Sequence, residues 1–481
     1  MMIRSVYFMS AVNIAKAAIQ LGINVISARF ISPHDYGLVA FSMSFIMFVA
    51  LLTDLGLSSA IVRHPELDKR QVGAAATVIT LFGILLSGLI CISAPALSSV
   101  ANLEGLPSVL MALSISIVFA VSAVAPRALM ERHLEYSKIA AIEGAGILAG
   151  FAAYLVSIAS GLGVMSLVIY QIAMHLVRAI TFAVAVRSEI KLNFEWSRIR
   201  SLLSFGGWVL LTNALNFLAR TSHNILIGIY LGAASLGLYG FANQFMILPL
   251  VVLAWPASGV LMSVLSPKGG LTPQSKSSLT LSTMTMTWLV TVPGMFYFTF
   301  GAGFLVYHFL DSKWHDAVWL MRVLAPIGAV QSIAAYSGSV ILSRGEGSLN
   351  FRLSVINTVV FLVAIVVALP FGLRVFVIAY AIAALALAAL SLGVIFRRID
   401  ATVASLLKSF VPPLVAACLG VGAVWAIFGT EPDTLAAWLK ASAVYFVVVM
   451  AVYLLCWRSI AAHFTTLRTS LMQPAASAVR E

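Results

Sequence analysis

Four polar residues near the N-terminus recur at the spacing of an α-helix. Asn13, Lys16, Gln20 and Asn24 are separated by three, four and four residues within an otherwise apolar segment. Because an α-helix repeats every ~3.6 residues, all four side chains share one face. A charged side chain in the middle of an apolar helix is costly unless it faces water, a partner or a ligand. The pattern therefore predicts a polar wall with a positive charge at Lys16.

A second polar stripe follows at an offset of 200 residues. Asn213, Asn216, Arg220 and Asn224 have the same spacing, and His223 lies beside them. Guanidinium and ammonium groups pair well with phosphate oxygens. We interpret the two stripes as facing walls of a substrate cavity that binds an anion. The alternative is that the stripes only form hydrogen bonds that hold two helices together.

A third, shorter stripe consists of Gln171, His175 and Arg178, at spacings of four and three residues. Two interpretations of Arg178 remain open. Its guanidinium either joins the substrate cavity or extends along the helix to the cytoplasmic interface.

Acidic residues are scarce within the apolar segments. Asp54 and Glu143 are candidates for binding a coupling cation or a proton. The alternative is that both lie near the cytoplasmic boundary and pair with loop cations such as Arg63 or Lys138. The GxxxG pattern that begins at Gly146 is typical of close helix packing.

No constellation typical of catalysis accompanies these residues. The sequence contains no GxxxxGK[ST] phosphate-binding loop, and no Ser/His/Asp, Cys/His or paired-carboxylate arrangement stands out. Cys91, Cys418 and Cys456 are scattered through apolar runs, with no CxxC pair. We therefore expect no enzymatic activity, no cofactor and no metal site.

The segments that carry these residues are strongly apolar. Of the 481 residues, 61% are hydrophobic and 10% are charged, and the mean hydropathy is +1.03. A soluble domain keeps roughly a quarter of its residues charged, so this chain must be solvated by lipid. Its apolar runs predict an all-α integral membrane protein of about fourteen transmembrane helices. The predicted spans are 6–26, 38–60, 72–95, 107–126, 139–159, 163–186, 205–230, 236–265, 278–300, 317–341, 353–370, 374–396, 410–428 and 436–457.

The net charge of +12 has an uneven distribution. The even-numbered connections and the termini carry most of the Lys and Arg residues, whereas the odd-numbered connections carry only Arg29, Lys313 and Arg374. By the positive-inside rule, both termini lie in the cytoplasm, on the inner side of the plasma membrane. Because this rule accounts for the charge, we expect no nucleic-acid partner.

The first twelve predicted spans contain an internal repeat. Six positions coincide at the offset of 200, namely Asn13, Asn24, Gly37, Leu38, Phe41 and Phe45 with Asn213, Asn224, Gly237, Leu238, Phe241 and Phe245. Six spans per copy is an even number, so the copies share one orientation. The repeat predicts two pseudo-symmetric six-helix lobes plus two extra C-terminal helices. The expected units are an N-lobe at 1–200, a C-lobe at 201–400, two helices within 401–460, and a polar, disordered cytoplasmic tail at 461–481.

A motif around the first connection resembles that of a known transporter superfamily. The segment "ARFISPHDYGLVAFSMSFIMFVALLTDLGLSSAIVR" looks like the polysaccharide branch, Wzx-like, of the multidrug/oligosaccharidyl-lipid/polysaccharide (MOP) exporter superfamily. That branch has the form R-x-x-x-P-x-[DE]-[YF]-G, followed by a helix ending in D-x-G-L. The matching positions are Arg29, Pro33, Asp35, Tyr36, Gly37, Asp54, Gly56 and Leu57.

The resemblance implies a two-lobed bundle that works by alternating access. It implies flipping of polyprenyl-diphosphate-linked oligosaccharide repeat units for O-antigen or exopolysaccharide synthesis. Membrane lipids, a polysaccharide polymerase and a co-polymerase are the partners that it suggests. Rival interpretations are a cation-coupled multidrug exporter or a lipid II flippase of the same superfamily, and an enzyme or assembly scaffold. A multidrug exporter would be expected to use a cavity acid, whereas this sequence places basic residues there.

Overall fold

A computed structural model describes the backbone of most of the chain. The described residues are 2–54, 56–63, 68–187, 189–190, 196–266, 271–399, 401–429, 432 and 434–472. The side chains of 2–14, 59, 63, 196–216, 218–220 and 470–472 lie outside this description.

Within the described residues, the regular elements are helices. The helices of the N-terminal half are α1 (Met2–Phe30), α2 (Pro33–Asp54), α3 (Leu57–Arg63), α4 (Lys69–Ala101), α5 (Leu106–Ser122), α6 (Val124–Arg132), α7 (Tyr136–Ala159), α8 (Met165–Ala185) and α9 (Trp196–Pro249). Those that follow are α10 (Trp255–Leu265), α11 (Pro273–Phe309), α12 (Ala317–Ala334), α13 (Ser337–Ser343), α14 (Gly347–Ala368), α15 (Leu373–Arg398), α16 (Val403–Phe428), α17 (Leu435–Leu455) and α18 (Trp457–Met472). A π-helical turn, Leu250–Ala254, joins α9 to α10.

The helices identify a multi-pass membrane protein. Twelve segments of the described chain are long and apolar enough to cross a bilayer. Many of their apolar side chains are exposed, Leu455 to 87%, so lipid must cover them. Two further helical segments, α1 and the beginning of α9, have side chains that lie largely outside the described part. The all-α fold is confirmed, whereas the count of fourteen spans stays a prediction.

Local sequence signals explain where several helices begin and break. Asp68 caps α4 in a capping box with Gln71, and the Thr272 hydroxyl accepts a hydrogen bond from the Ser275 amide at the start of α11. Gly232 interrupts α9 with a φ of 83°, a left-handed value that glycine adopts readily. The interruption separates the two predicted spans at 205–230 and 236–265.

The chain divides into two compact units, Met1–Gly240 and Phe241–Glu481. In the first unit, α5 packs against α2, α4 and α8. In the second unit, α11 packs against α12 and α16, and the buried Trp314 ring contacts the Phe241 ring at a centroid distance of 4.9 Å. The lobe boundaries at 200 and 400 stay a prediction.

Two repeat-related glycines contact each other within the first unit. A Cβ atom added to Gly37 would overlap the carbonyl oxygen of Ala233, and one added to Gly237 would overlap the carbonyl oxygen of Pro33. Pro33 and Ala233 are also related by the offset of 200. The reciprocal contact is what a local two-fold axis between repeated segments produces. It also explains why both positions lack a side chain.

The C-terminal segment corrects one expectation. The tail was expected to be disordered from residue 461, but α18 continues to Met472 and packs against α11 and α16. The His463 ring lies 3.0 Å from the Ser282 hydroxyl through Nδ1 and 3.1 Å from the Ser409 hydroxyl through Nε2. Burial lowers the pKa of His463, which favours the neutral ring. This inward face, together with the apolar contacts of Leu467, fixes a segment whose composition alone appeared too polar to fold.

Candidate functional site

A charged cluster lies among helices of the first unit. The Glu143 Oε1 atom on α7 accepts a hydrogen bond of 2.7 Å from Arg178 NH2 on α8. The same oxygen lies 3.4 Å from Arg127 NH1 on α6, and Arg127 Nε is also 3.0 Å from Glu131 Oε1. The side chains of Glu143 and Arg178 are each 16% exposed. This ion pair is therefore largely enclosed by protein.

Two glycines on α7 let α8 approach closely enough to form the pair. A Cβ on Gly146 would lie 2.5 Å from Arg178 Cγ, so the arginine stem runs directly across this glycine. A Cβ on Gly150 would lie 2.9 Å from the Tyr170 carbonyl oxygen and 3.0 Å from Met174 Cβ. The GxxxG pattern thus acts in packing, as predicted, and it also sets the path of Arg178.

Lys16 adds a second cation to the surroundings of this cluster. It occupies the middle of α1, is exposed, and lies within electrostatic range of Glu143, Arg178 and Arg127. No carboxylate among the described side chains forms an ion pair with it. Lys16 is thus open to a ligand, whereas Arg178 already has a partner.

The next polar residues of α1 bond to neighbouring helices. The Tyr36 hydroxyl donates a hydrogen bond of 3.1 Å to Asn24 Oδ1, and Asn24 is buried. The Tyr170 hydroxyl donates to Gln20 Oε1 at 3.4 Å. The first stripe therefore has two parts. Lys16 is exposed, whereas Gln20 and Asn24 take part in interhelical hydrogen bonds of the kind that the alternative interpretation expects.

Only part of the second stripe is described. The side chains of Asn13, Asn213, Asn216 and Arg220 lie outside the described residues, although the backbone at each is helical.

Two members of the second stripe have defined contacts within the first unit. The ring centroid of His223 lies 5.5 Å from that of Tyr239, edge to face. The Asn224 side-chain amide donates a hydrogen bond of 3.4 Å to the Ser44 hydroxyl on α2.

The carboxylates have partners other than those suggested by the sequence. The Asp54 oxygens accept hydrogen bonds from the Ser58 amide at 3.0 Å and the Ser58 hydroxyl at 2.7 Å, which caps α3. Lys138 pairs with Glu135 at 2.7 Å rather than with Glu143. Lys138 and Glu143 are five residues apart on one helix, so they point in directions that differ by roughly 140°. The side chain of Arg63 lies outside the described residues.

The described residues contain no group of three His, Cys, Asp or Glu side chains that could hold a metal ion. The polar chemistry of the first unit therefore consists of hydrogen bonding and fixed charge.

A comparison with known sequences shows the family. The model of the family described as "Polysaccharide biosynthesis protein" matches residues 26–319. The lipopolysaccharide biosynthesis protein WzxC of Escherichia coli K12 is 23% identical over 71% of this chain and 69% of its own length. The succinoglycan biosynthesis transport protein ExoT of Rhizobium meliloti is 27% identical over 56% of this chain and 55% of its own length.

The fold is shared with solved transporters. The lipid II flippase MurJ in an inward closed conformation superposes with a TM-score of 0.75 and 14% identity, over 94% of this chain and 99% of that one. An inward-facing MATE multidrug transporter of the MOP superfamily has a TM-score of 0.60 and 16% identity, over 81% and 98% of the two chains. The predicted resemblance to the MOP superfamily is thereby confirmed, and these similar proteins are named as flippases and transporters rather than enzymes. The chain belongs to the polysaccharide biosynthesis protein family.

Proposed function

We propose that the chain flips polyprenyl-diphosphate-linked oligosaccharide repeat units across the membrane by alternating access. The observation that supports this most directly is the excess of positive charge on the helices of the first unit. Lys16, Arg127 and Arg178 lie in one neighbourhood with two carboxylates, Glu131 and Glu143. A cation without an ion-pair partner at the middle of a membrane helix needs water or an anionic ligand.

A diphosphate fits this chemistry better than a neutral or cationic solute. Its oxygens accept several charge-assisted hydrogen bonds, which arginine and lysine donate without any proton transfer. The family and the names of the relatives, which refer to lipopolysaccharide and succinoglycan biosynthesis, support a saccharide attached to that diphosphate.

The fold shared with MurJ makes lipid II transport the second candidate. As a prenyl-diphosphate lipid, lipid II presents the same anionic group, so the charged cluster does not separate the two substrates. The saccharide does, and the experiment below includes both.

Reconstitution tests the proposed activity. Purified protein in liposomes that contain a fluorescent undecaprenyl-diphosphate-linked oligosaccharide should make inner-leaflet lipid accessible to a membrane-impermeant reagent that destroys the fluorophore. We expect little effect on lipid II in the same assay. Protein-free liposomes and a heat-inactivated sample serve as controls. Flipping of lipid II alone would favour the second candidate, and no flipping of either lipid by folded protein would contradict the proposal.

We further propose that the protein is located in the inner membrane, with both termini in the cytoplasm and the polymerase and co-polymerase as neighbours. Reporter fusions after residues 100, 160, 233, 307 and 432 should report the periplasm, and fusions after 68, 133, 195, 272, 347 and 403 the cytoplasm. The expectation follows from the concentration of Lys and Arg in the second set of connections. Two consecutive fusions on the same side would contradict the alternation.

A further inference from the structure

The hydrogen bonds of Arg178 leave one donor unused. A guanidinium has five N–H groups in a fixed, planar arrangement. The Arg178 NH2 group donates to Glu143, and NH1 lies 3.4 Å from His175 Nδ1. The Nε atom is buried and has no hydrogen-bond partner. A buried donor without an acceptor is costly, so the Nε–H group is a position where an acceptor would be stabilising.

Glu143 occupies only half of the arginine edge that it contacts. Arginine commonly binds a carboxylate or phosphate through two parallel N–H···O bonds. Here Glu143 reaches NH2 through Oε1, and that oxygen also faces Arg127 NH1 at 3.4 Å. The neighbouring Nε–H group on the same edge therefore remains available to a second anion.

We propose that Glu143 is a resident counter-anion that competes with the substrate diphosphate for Arg178. In the unloaded protein, Glu143 neutralises an arginine that would otherwise be an isolated, largely buried charge. A diphosphate oxygen takes the free Nε–H group first and then replaces Glu143 at NH2. The inference rests on the proposed function, because it assumes that the substrate carries a diphosphate.

The packing around Arg178 suits such an exchange. Gly146 leaves room for the stem but no more, since a Cβ there would lie 2.5 Å from Cγ. The stem is thus held in place while the guanidinium exchanges partners. Competition by Glu143 lowers the affinity for the diphosphate, which allows release on the other side of the membrane.

The test measures binding of farnesyl diphosphate, a short prenyl diphosphate, to the purified full-length protein in detergent by isothermal titration calorimetry. Glu143→Gln keeps the size of the side chain but removes the competing charge. We expect it to tighten binding about tenfold, which corresponds to about 1.4 kcal/mol. Glu131→Gln is the matched control, because Glu131 pairs with Arg127 and not with Arg178. It should leave the dissociation constant within about twofold of the wild type, a difference well below 1.4 kcal/mol.

Arg178→Ala separates the two levels of the proposal. If Arg178→Ala binds farnesyl diphosphate as the wild type does, this cluster is not the diphosphate site, and its role in the proposed function fails. If Arg178→Ala loses binding but Glu143→Gln binds no more tightly than the wild type, the cluster binds the diphosphate and the competition is wrong. In the double variant Arg178→Ala/Glu143→Gln, the gain from Glu143→Gln must disappear. A gain that persists would contradict the exchange at Arg178. A thermal unfolding profile of each variant verifies that it is folded.

Discussion

Lys16→Ala should sharply reduce polysaccharide export while the protein stays in the membrane at near-normal abundance. Lys16 is exposed at the middle of α1 and close to the Glu143–Arg178 pair, so its ammonium is available to a phosphate oxygen. A hydrogen bond of this charged kind contributes about 1.5–3 kcal/mol. Losing it should weaken substrate binding about 10- to 100-fold, since about 1.4 kcal/mol is a factor of ten. Export in a complemented deletion strain and immunoblotting of membranes measure the two quantities.

The repeat supplies a companion variant and the sequence a control. Arg220→Ala should reduce export as Lys16→Ala does, and Arg220→Lys should keep part of the activity, because the charge remains although the bidentate geometry is lost. Lys440→Ala, which removes an exposed cation near the start of α17, should have much less effect. If the stripes only hold helices together, the alanine variants would lose abundance along with activity, and glutamine would restore both. Full export by Arg220→Ala at wild-type abundance would exclude its binding role.

The fold class was predictable because it depends on a local property. Apolar runs long enough to cross a bilayer must be helical, wherever their neighbours lie. The crossing at Gly37 and Gly237 was also foreshadowed, because the offset of 200 aligned these glycines before any contact was known.

The roles of individual polar residues were less predictable, because they depend on partners from other helices. Lys16 and Asn24 share one helix face, yet Lys16 is exposed and Asn24 is buried beneath the Tyr36 hydroxyl. Helical periodicity gives the direction of a side chain but not what it meets. Glu143 likewise binds Arg178, which is 35 residues away, rather than a cation in its own first turn.

One signal for the Glu143–Arg178 pair was nevertheless present in the sequence. Gly146 follows Glu143 by three residues, so the two lie on the same face of α7. An acid beside a small residue on a membrane helix is a place where a long basic side chain from the next helix can fit. The stripe on α8 supplied that side chain in Arg178.

Gly37→Ala and Gly237→Ala should each destabilise the first unit, although each adds a single methyl group. The new Cβ would overlap a backbone carbonyl oxygen, that of Ala233 or of Pro33, and a backbone cannot yield as a flexible side chain can. Overpacking of this kind costs typically about 1–3 kcal/mol in free energy of unfolding. Thermal unfolding of the purified protein in detergent should show the loss. Gly88→Ala on α4 is the matched control, because a Cβ there meets nothing within 4 Å and alanine favours a helix more than glycine does.

The double variant Gly37→Ala/Gly237→Ala tests whether the two glycines serve one contact. Substitutions at independent sites add in free energy, whereas residues that share a contact do not. Once the first methyl group has pushed α2 away from α9, the second finds the space already opened. The double variant should therefore lose clearly less stability than the sum of the single losses. Strict additivity would mean that the positions act separately, and a Gly37→Ala protein as stable as Gly88→Ala would show that the crossing can relax without cost.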